Sequence, residues 1–433
     1  MNRLMLIIII VFVAIFADTQ AYGYSFGQWA SQSGLPLDAK DADASGQGIS
    51  NLEGLNVYTE LEVLYLYDNQ LISIDAGSFA GLNKLRVLFL QGNQIAGIGA
   101  NSFAEMRDLE VLMLGDNELT SIGANTFAGL GKLNTLIIDD NDIQVIQPGA
   151  FVGLINLENL MLSRNNISSI ASGSFAGLGN LAYLYLGQNQ ISKVNAGVFD
   201  ELHKLKHLSL VYSDIGEVAE GIFSGFPNLE SLALSHNHIQ NLNLKNAELN
   251  HLKDFNAINS YITKVDLSYS KLSGDTLTVL VAGNWYGGHN DGLVANPDLD
   301  EFDLSNADLS ELNSISELAR MVTIKTLNIS NVTWSQSVIA SGYQPLAQVL
   351  NALEQGRLAQ LTIDIKLYDF GKDYFDTWDA LEGNTLLITC DYQLTGDLND
   401  DCVCDLQDFV LMANSWLIDC NNTSENIQLC LPK

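Results

Sequence analysis

Leu61, Leu85, Leu109, Leu133, Leu157, Leu181, Leu205 and Leu229 stand at an unbroken 24-residue spacing, and each opens a segment of the form L-x-x-L-x-L-x-x-N-x-I/L, with Ser213 replacing the asparagine once. A unit this short cannot bury its own apolar face, so consecutive units must stack into one continuous interior. The length of 433 residues would by itself suggest about two or three domains. The repeat overrides that and predicts a solenoid.

Within each unit the L-x-L core reads as a short strand with its leucines inward, Leu64 and Leu66 in the first and Leu112 and Leu114 in the third. Three residues past the second leucine come Asn69, Asn93, Asn117, Asn141, Asn165, Asn189 and Asn237. A buried asparagine persists only where its amide is satisfied, so these are expected to bond the backbone of their own turn and of the next repeat. Ser213 interrupts the series and predicts a looser turn in the seventh unit. Phe79, Phe103, Phe127, Phe151, Phe175, Phe199 and Phe223 keep the same phase and predict a buried aromatic row on the convex side, each side chain contributing roughly 2–3 kcal/mol.

Leucines, asparagines and phenylalanines held in one phase resemble the leucine-rich repeat family in its 24-residue extracellular form, with eight strict units over 61–251. The resemblance implies an α/β solenoid with a concave parallel β-sheet, short helical or irregular convex segments, and recognition of protein or other ligands on the concave side. Residues 22–60 read as an N-terminal cap with a worn repeat, Gln47 occupying the asparagine place. Over 252–390 the period breaks, yet Val265-Asp266-Leu267, Phe302-Asp303-Leu304, Leu327-Asn328-Ile329 and Leu361-Thr362-Ile363 keep apolar alternation, and Pro345 to Leu358 has one apolar helical face. This segment is expected to continue the solenoid in longer units and close it; a separate domain from about residue 260 is the alternative.

Residues 1–21 join Asn2 and Arg3 to the apolar run Leu4–Ala17 and the small-x-small end Thr19-Gln20-Ala21, which reads as a signal peptide cleaved near Ala21. The run is too short to span a bilayer, and no later stretch is longer, so a secreted or cell-surface protein without a membrane span is expected. The formal net charge of −31 repels nucleic acid and anionic lipid. All five cysteines, Cys390, Cys402, Cys404, Cys420 and Cys430, fall in the final stretch. Export permits disulfides there; five is odd, and Cys402 and Cys420, which bracket a short helix, are the first pairing to consider.

The residues between the inward leucines are expected on the concave face: Tyr65, Phe89, Met113, Ile137, Met161, Tyr185, Ser209 and Ala233. At about 4.8 Å per strand the six apolar ones form a stripe roughly 25 Å long. Tyr67, Asp68, Asp116, Asp139, Asp140, Arg164 and Tyr183 flank it. An apolar stripe with a polar rim marks an extracellular protein or glycan site; the same side chains also suit packing on one another along the sheet. The glycine-rich segment 283–292, with Trp285 and Tyr286, is a second candidate surface or a plain connecting loop. His207, His236, His238 and His251 do not share a strand position and are read as surface residues. No nucleophile elbow, H-E-x-x-H or phosphate loop occurs, so no enzyme is expected.

The tail, 391–433, is a different module. Asp397, Asn399, Asp401, Asp405 and Asp408 occupy loop positions 1, 3, 5, 9 and 12 of a calcium loop, with the Val403 carbonyl at position 7, and 409–417 reads as the helix that follows. This resembles half of a dockerin-type module, closed by aspartate, with Cys402 where a glycine is usual and one loop where the family has two. The resemblance implies calcium as the bound ion and a docking or anchoring partner. Together these features predict an exported binding protein; the alternatives are a structural surface spacer, or a noncatalytic or catalytic subunit of an extracellular polysaccharide-degrading assembly.

Overall fold

The computed structural model describes residues 23–257, 260, 262, 264–274, 298–312, 323–329, 332–334, 360–364 and 385–389. The signal-peptide segment, the 283–292 loop, the 345–358 helix, all five cysteines and the calcium-loop tail lie outside them. The chain divides into two compact units at Asp214 and Ile215.

In the first unit eight short parallel strands follow one another in chain order: Asp41–Asp43, Val63–Tyr65, Val87–Phe89, Val111–Met113, Thr135–Ile137, Asn159–Met161, Tyr183–Tyr185 and His207–Ser209. Their register is set by the 24-residue period: Leu64 opposes Leu88, Leu88 opposes Leu112, and Leu112 opposes Leu136. Each central leucine is buried, while the residues on either side of it stay half-exposed. A one-residue slip would turn every leucine to solvent, so pattern and register enforce each other.

The chain turns away from the sheet through a left-handed residue just before the asparagine. Asp68, Gly92, Asp116, Asp140, Arg164, Gln188 and Tyr212 all have φ between 51° and 68°. The turn is held by the asparagine itself. Asn117 accepts from the Leu119 counterpart of the coil before it, Ile95 N, at 3.0 Å, and donates to Leu90 O of that coil and to Leu114 O of its own. Asn93, Asn141 and Asn165 repeat the arrangement. The ladder thus ties each coil to the preceding repeat rather than to the next, each carbonyl such as Leu90 O accepting both from its own coil's asparagine and from the following one. At Ser213 the hydroxyl reaches Leu186 O and Val211 O only at 3.4 and 3.3 Å, and a second left-handed residue, Asp214, follows (φ 60°). The looser seventh turn is visible in that extra inversion.

On the far side of each coil successive tight turns, such as Ala80 N to Gly77 O and Leu82 N to Phe79 O, replace a helix. They place the phenylalanines inward: Phe79, Phe103, Phe127, Phe151, Phe175 and Phe199 are at most 1% exposed and stack with centroids 5.7 to 6.1 Å apart and planes within 22°. The helical share of the α/β expectation is small: among the described residues it is the α-helix Phe26–Ser33 and the 3-10 turn Leu55–Val57. The helix belongs to the cap. Ser25 and Gln28 form a reciprocal capping box, Gly34 ends it at φ 70°, and Phe26 packs on Trp29 and Tyr58. The worn repeat is real, with Ala42 and Ala44 buried where leucines stand elsewhere. Gln47, however, points its amide outward to Ser45 O, and Asn69 meets the cap by accepting from Gln47 N and Ile49 N. A side chain one methylene longer than asparagine does not fit the ladder's place.

The second unit keeps parallel strands but changes which side carries them. Ser231–Ala233 pairs with Asp254–Asn256, 23 residues on. The strand Lys264–Asp266 begins ten residues after Asp254, the offset at which Asn241–Asn243 follows Ser231. It pairs with Asn241–Asn243, not with Asp254–Asn256. Asp298–Asp303, Thr323–Asn328, Gln360–Asp364 and Thr385–Thr389 continue that line, Val265 opposing Phe302, Phe302 opposing Leu327, and Leu327 opposing Leu361. The alternation at 265, 302, 327 and 361 therefore does form in-register strands, but it does not continue the L-x-L strand of the regular units. Both lines show apolar alternation, and alternation alone carries no label for the side of the coil.

Candidate ligand-binding face

Because alternate strand residues face opposite ways, the sheet of the first unit displays two columns. One holds Tyr65, Phe89, Met113, Ile137, Met161, Tyr185 and Ser209, all half-exposed. The other, one residue before the buried leucine, holds Val63, Val87, Val111, Thr135, Asn159, Tyr183 and His207. Sequence reasoning singled out the first column and only Tyr183 of the second; the same period-two rule would have supplied the rest.

Aromatic side chains gather at the two ends. Tyr65 stacks on Phe89 at 4.8 Å with planes 9° apart, and Tyr67 meets Tyr65 edge-on at 6.4 Å. Five strands on, Tyr183 stacks on His207 at 4.7 Å. Met113, Ile137 and Met161 lie between. Tyr65 and Tyr185 thus share one face but stand roughly 24 Å apart at the usual strand spacing.

The rim runs along the left-handed turn residues. Asp68 and Asp116 are exposed. Asp139, Asp140 and Arg164 close on one another: Arg164 donates to Asp139 Oδ2 at 2.7 Å and to Asp140 Oδ1 at 2.5 Å. Gly115 makes room for this, since a Cβ there would sit 2.6 Å from Asp139 Oδ1. Burial pushes the Asp139 carboxyl above the ordinary aspartate range, outweighing the nearby Arg164, while Asp140 and Asp116 push the same way. Arg164 is held further up by its bond to Asp140. The one cation of the predicted site is therefore pinned rather than offered to a ligand.

Gln91 was not foreseen. It follows Phe89 on the same side of the chain, and its Oε1 is buried with no hydrogen-bond partner. Nothing in the sequence distinguishes it from any other glutamine at a strand end. Among the described residues no three histidine, cysteine, aspartate or glutamate side chains group as metal ligands, and no helix is long and apolar enough to cross a membrane.

The family model described as leucine rich repeat matches residues 49–95, 90–143, 131–191, 155–215 and 180–239. No curated protein sequence matches the chain. Among solved structures, the chain is similar to TLR13 in the crystal structure of a TLR13–ssRNA13 complex, with a TM-score of 0.48 and 22% identity over 87% of this chain and 55% of that one. It is also similar to internalin C2 from Listeria monocytogenes, with a TM-score of 0.36 and 25% identity over 42% of this chain and 75% of that one. The chain spans about half the length of the TLR13 chain it matches.

Proposed function

From a chain whose residues 49–239 match the leucine rich repeat family model, we propose a non-enzymatic binding protein that takes a protein ligand on the half-exposed sheet face running from Tyr65 to Tyr185. One observation carries this reading. Six successive apolar side chains, Tyr65, Phe89, Met113, Ile137, Met161 and Tyr185, remain half-exposed in register while every leucine between them is buried. A soluble surface rarely keeps a contiguous apolar strip of this length without a partner to cover it, and aromatics and methionines are the side chains enriched where partners bind. The rim residues Tyr67, Asp68, Asp116, Asp139 and Tyr183 would orient that partner, with Arg164 bracing the acidic edge. The test is affinity capture from the native exterior with the intact chain and with Phe89→Asp, Met161→Asp and Tyr185→Asp. Loss of the captured protein with melting unchanged supports the reading; retention at full affinity in all three variants removes it. Capture of a glycan instead would keep the face and change the ligand.

The proposal extends to the ends of the chain. Cleavage near Ala21 would place the protein outside the cell, and Asp397, Asn399, Asp401, Val403, Asp405 and Asp408 would hold calcium in a tail that docks or anchors it. Calorimetry of the full chain with millimolar calcium, against Asp397→Ala with Asp401→Ala, tests the tail: equal heats would sink it. A second reading, a spacer with no discrete ligand, is favoured by the Tyr65–Phe89 and Tyr183–His207 stacks, in which the side chains cover one another.

A further inference from the structure

At the N-terminal end of the sheet face the Asp68 carboxylate and the Gln91 amide oxygen, neither with a partner among the described residues, adjoin the half-exposed rings of Tyr65 and Tyr67. Tyr65 and Phe89 form a parallel stack with Tyr67 set edge-on against it. The Asp68 carboxylate rests on the backbone of Gly92: Oδ1 occupies the space where a Cβ on Gly92 would project, 2.3 Å from that position. This close approach requires glycine there, and Gly92 is also left-handed at φ 68°. Asp68 N is tied to Gln91 O at 2.9 Å, which sets the two residues side by side on neighbouring coils. Gln91 Oε1 has no partner, and its side-chain amide makes no hydrogen bond among the described residues, so it can turn without losing one. The neighbouring cations are committed elsewhere, Arg86 to Glu110 and Lys84 to Glu60. No cation pairs with Asp68 among the described residues.

A carboxylate, a free amide oxygen and electron-rich ring faces in one place, inside a chain with a net charge of −31, are complementary to a planar cation. Resting on the binding-face reading above, we infer that the corner formed by Tyr65, Tyr67, Asp68, Phe89 and Gln91 receives an arginine side chain of the partner protein. The guanidinium stacks on the face of one tyrosine, the two rings standing 86° apart, one edge donates to Asp68, and a further N–H reaches Gln91 Oε1 once that side chain turns its buried oxygen outward. Lysine fits less well, because an ammonium offers no flat face to the rings and no fork to the carboxylate. The two aromatic ends then play different parts: the Tyr65 end fixes an arginine, and the methionine centre with the Tyr183 end covers apolar surface.

The test uses the full chain and three small probes: N-acetyl-arginine amide, N-acetyl-lysine amide and the neutral isostere N-acetyl-citrulline amide. The side-chain NMR signals of Tyr65, Tyr67, Phe89 and Gln91 report occupancy. The arginine probe is expected to shift them at several-fold lower concentration than lysine, with citrulline silent. Asp68→Asn and Gln91→Leu should each weaken the arginine response about five- to tenfold, as expected for loss of one charged or desolvated contact. Asn is at home in the left-handed region, so the first variant keeps the turn. Equal responses to all three probes, or arginine shifts of equal midpoint around Asp116 and Asp140, would overturn the assignment. The outcome separates from the face reading: a native partner lost on Met161→Asp but held at full affinity by Asp68→Asn and Gln91→Leu defeats the corner alone.

Discussion

Phe127→Ala removes the centre of the aromatic row, and its cost can be worked from what surrounds it. The ring is fully buried and lies between Phe103 at 6.1 Å and Phe151 at 6.0 Å, with planes 13° and 4° apart. Withdrawing a benzyl group from a dry interior costs about 2–3 kcal/mol in transfer alone. The stacked neighbours are themselves held by coils on either side, so the space collapses only partly, and the total reaches about 3–5 kcal/mol. Phe127→Leu keeps most of the burial but loses both stacks, worth about 0.5–1.5 kcal/mol each, and separates the two contributions. Because stacked repeats open locally, the clean assay is native-state hydrogen exchange rather than one melting curve. Amides of the second, third and fourth coils, including Leu88, Leu112 and Leu136, should lose protection together while those of Leu184 and Leu208 lose less. Unchanged protection at Leu136 in Phe127→Ala would refute the row as a source of stability, and equal losses for the alanine and leucine variants would refute the burial term.

Asn117→Leu leaves Ile95 N without its side-chain acceptor and takes one of two amide donors from Leu90 O and Leu114 O, which keep Asn93 and Asn141, and should cost about 1–3 kcal/mol in urea unfolding, the cost of one buried group left unpaired; a loss well under about 1 kcal/mol would mean the ladder is ornamental. Ser213→Asn should raise the melting temperature by restoring both donors at a buried turn, and a lower one would show that Asp214 has locked an alternative backbone. Asp139 carries a folded pKa above its unfolded one, so its carboxyl binds a proton more readily when folded, and stability is withdrawn as the pH rises from about 4 upward through the raised value. Urea midpoints of the chain and of Asp139→Asn, compared between pH 3 and 7, should therefore show a decline in the parent that the variant lacks.

How much of this could be read in advance depended on whether one residue type marks one place. Leucine, asparagine and phenylalanine each recur at a fixed point of the coil, so the inward pair Leu64 and Leu66, the turn amides and the buried row followed directly. The cap helix did not, although Ser25-Phe26-Gly27-Gln28 carries a capping-box pattern, because a single eight-residue helix gives little periodicity to detect. The strand at Lys264–Asp266 was legible as a strand but not as to side, since Val-x-Leu reads alike on either line. The direction of the asparagine ladder, and the free oxygen of Gln91, are consequences of which neighbour happens to lie within reach; no local pattern records them.

The division of labour along each strand explains why stability and recognition coexist in so small a repeat. Of the three residues in a strand only the central leucine is committed to the interior, and the asparagine and phenylalanine complete the coil's requirements elsewhere. The two flanking strand positions are thereby released from folding, and they are where the composition drifts, from valine to threonine, asparagine, tyrosine and histidine in one column and from tyrosine to methionine, isoleucine and serine in the other. The left-handed rim residue is released less completely: a non-glycine side chain there costs about 1–2 kcal/mol, yet Arg164, Gln188 and Tyr212 occupy it. For Arg164 the two carboxylates it bridges offset that cost. For Asp68 the cost is small and no intramolecular contact offsets it, which leaves the carboxylate available to something outside the chain.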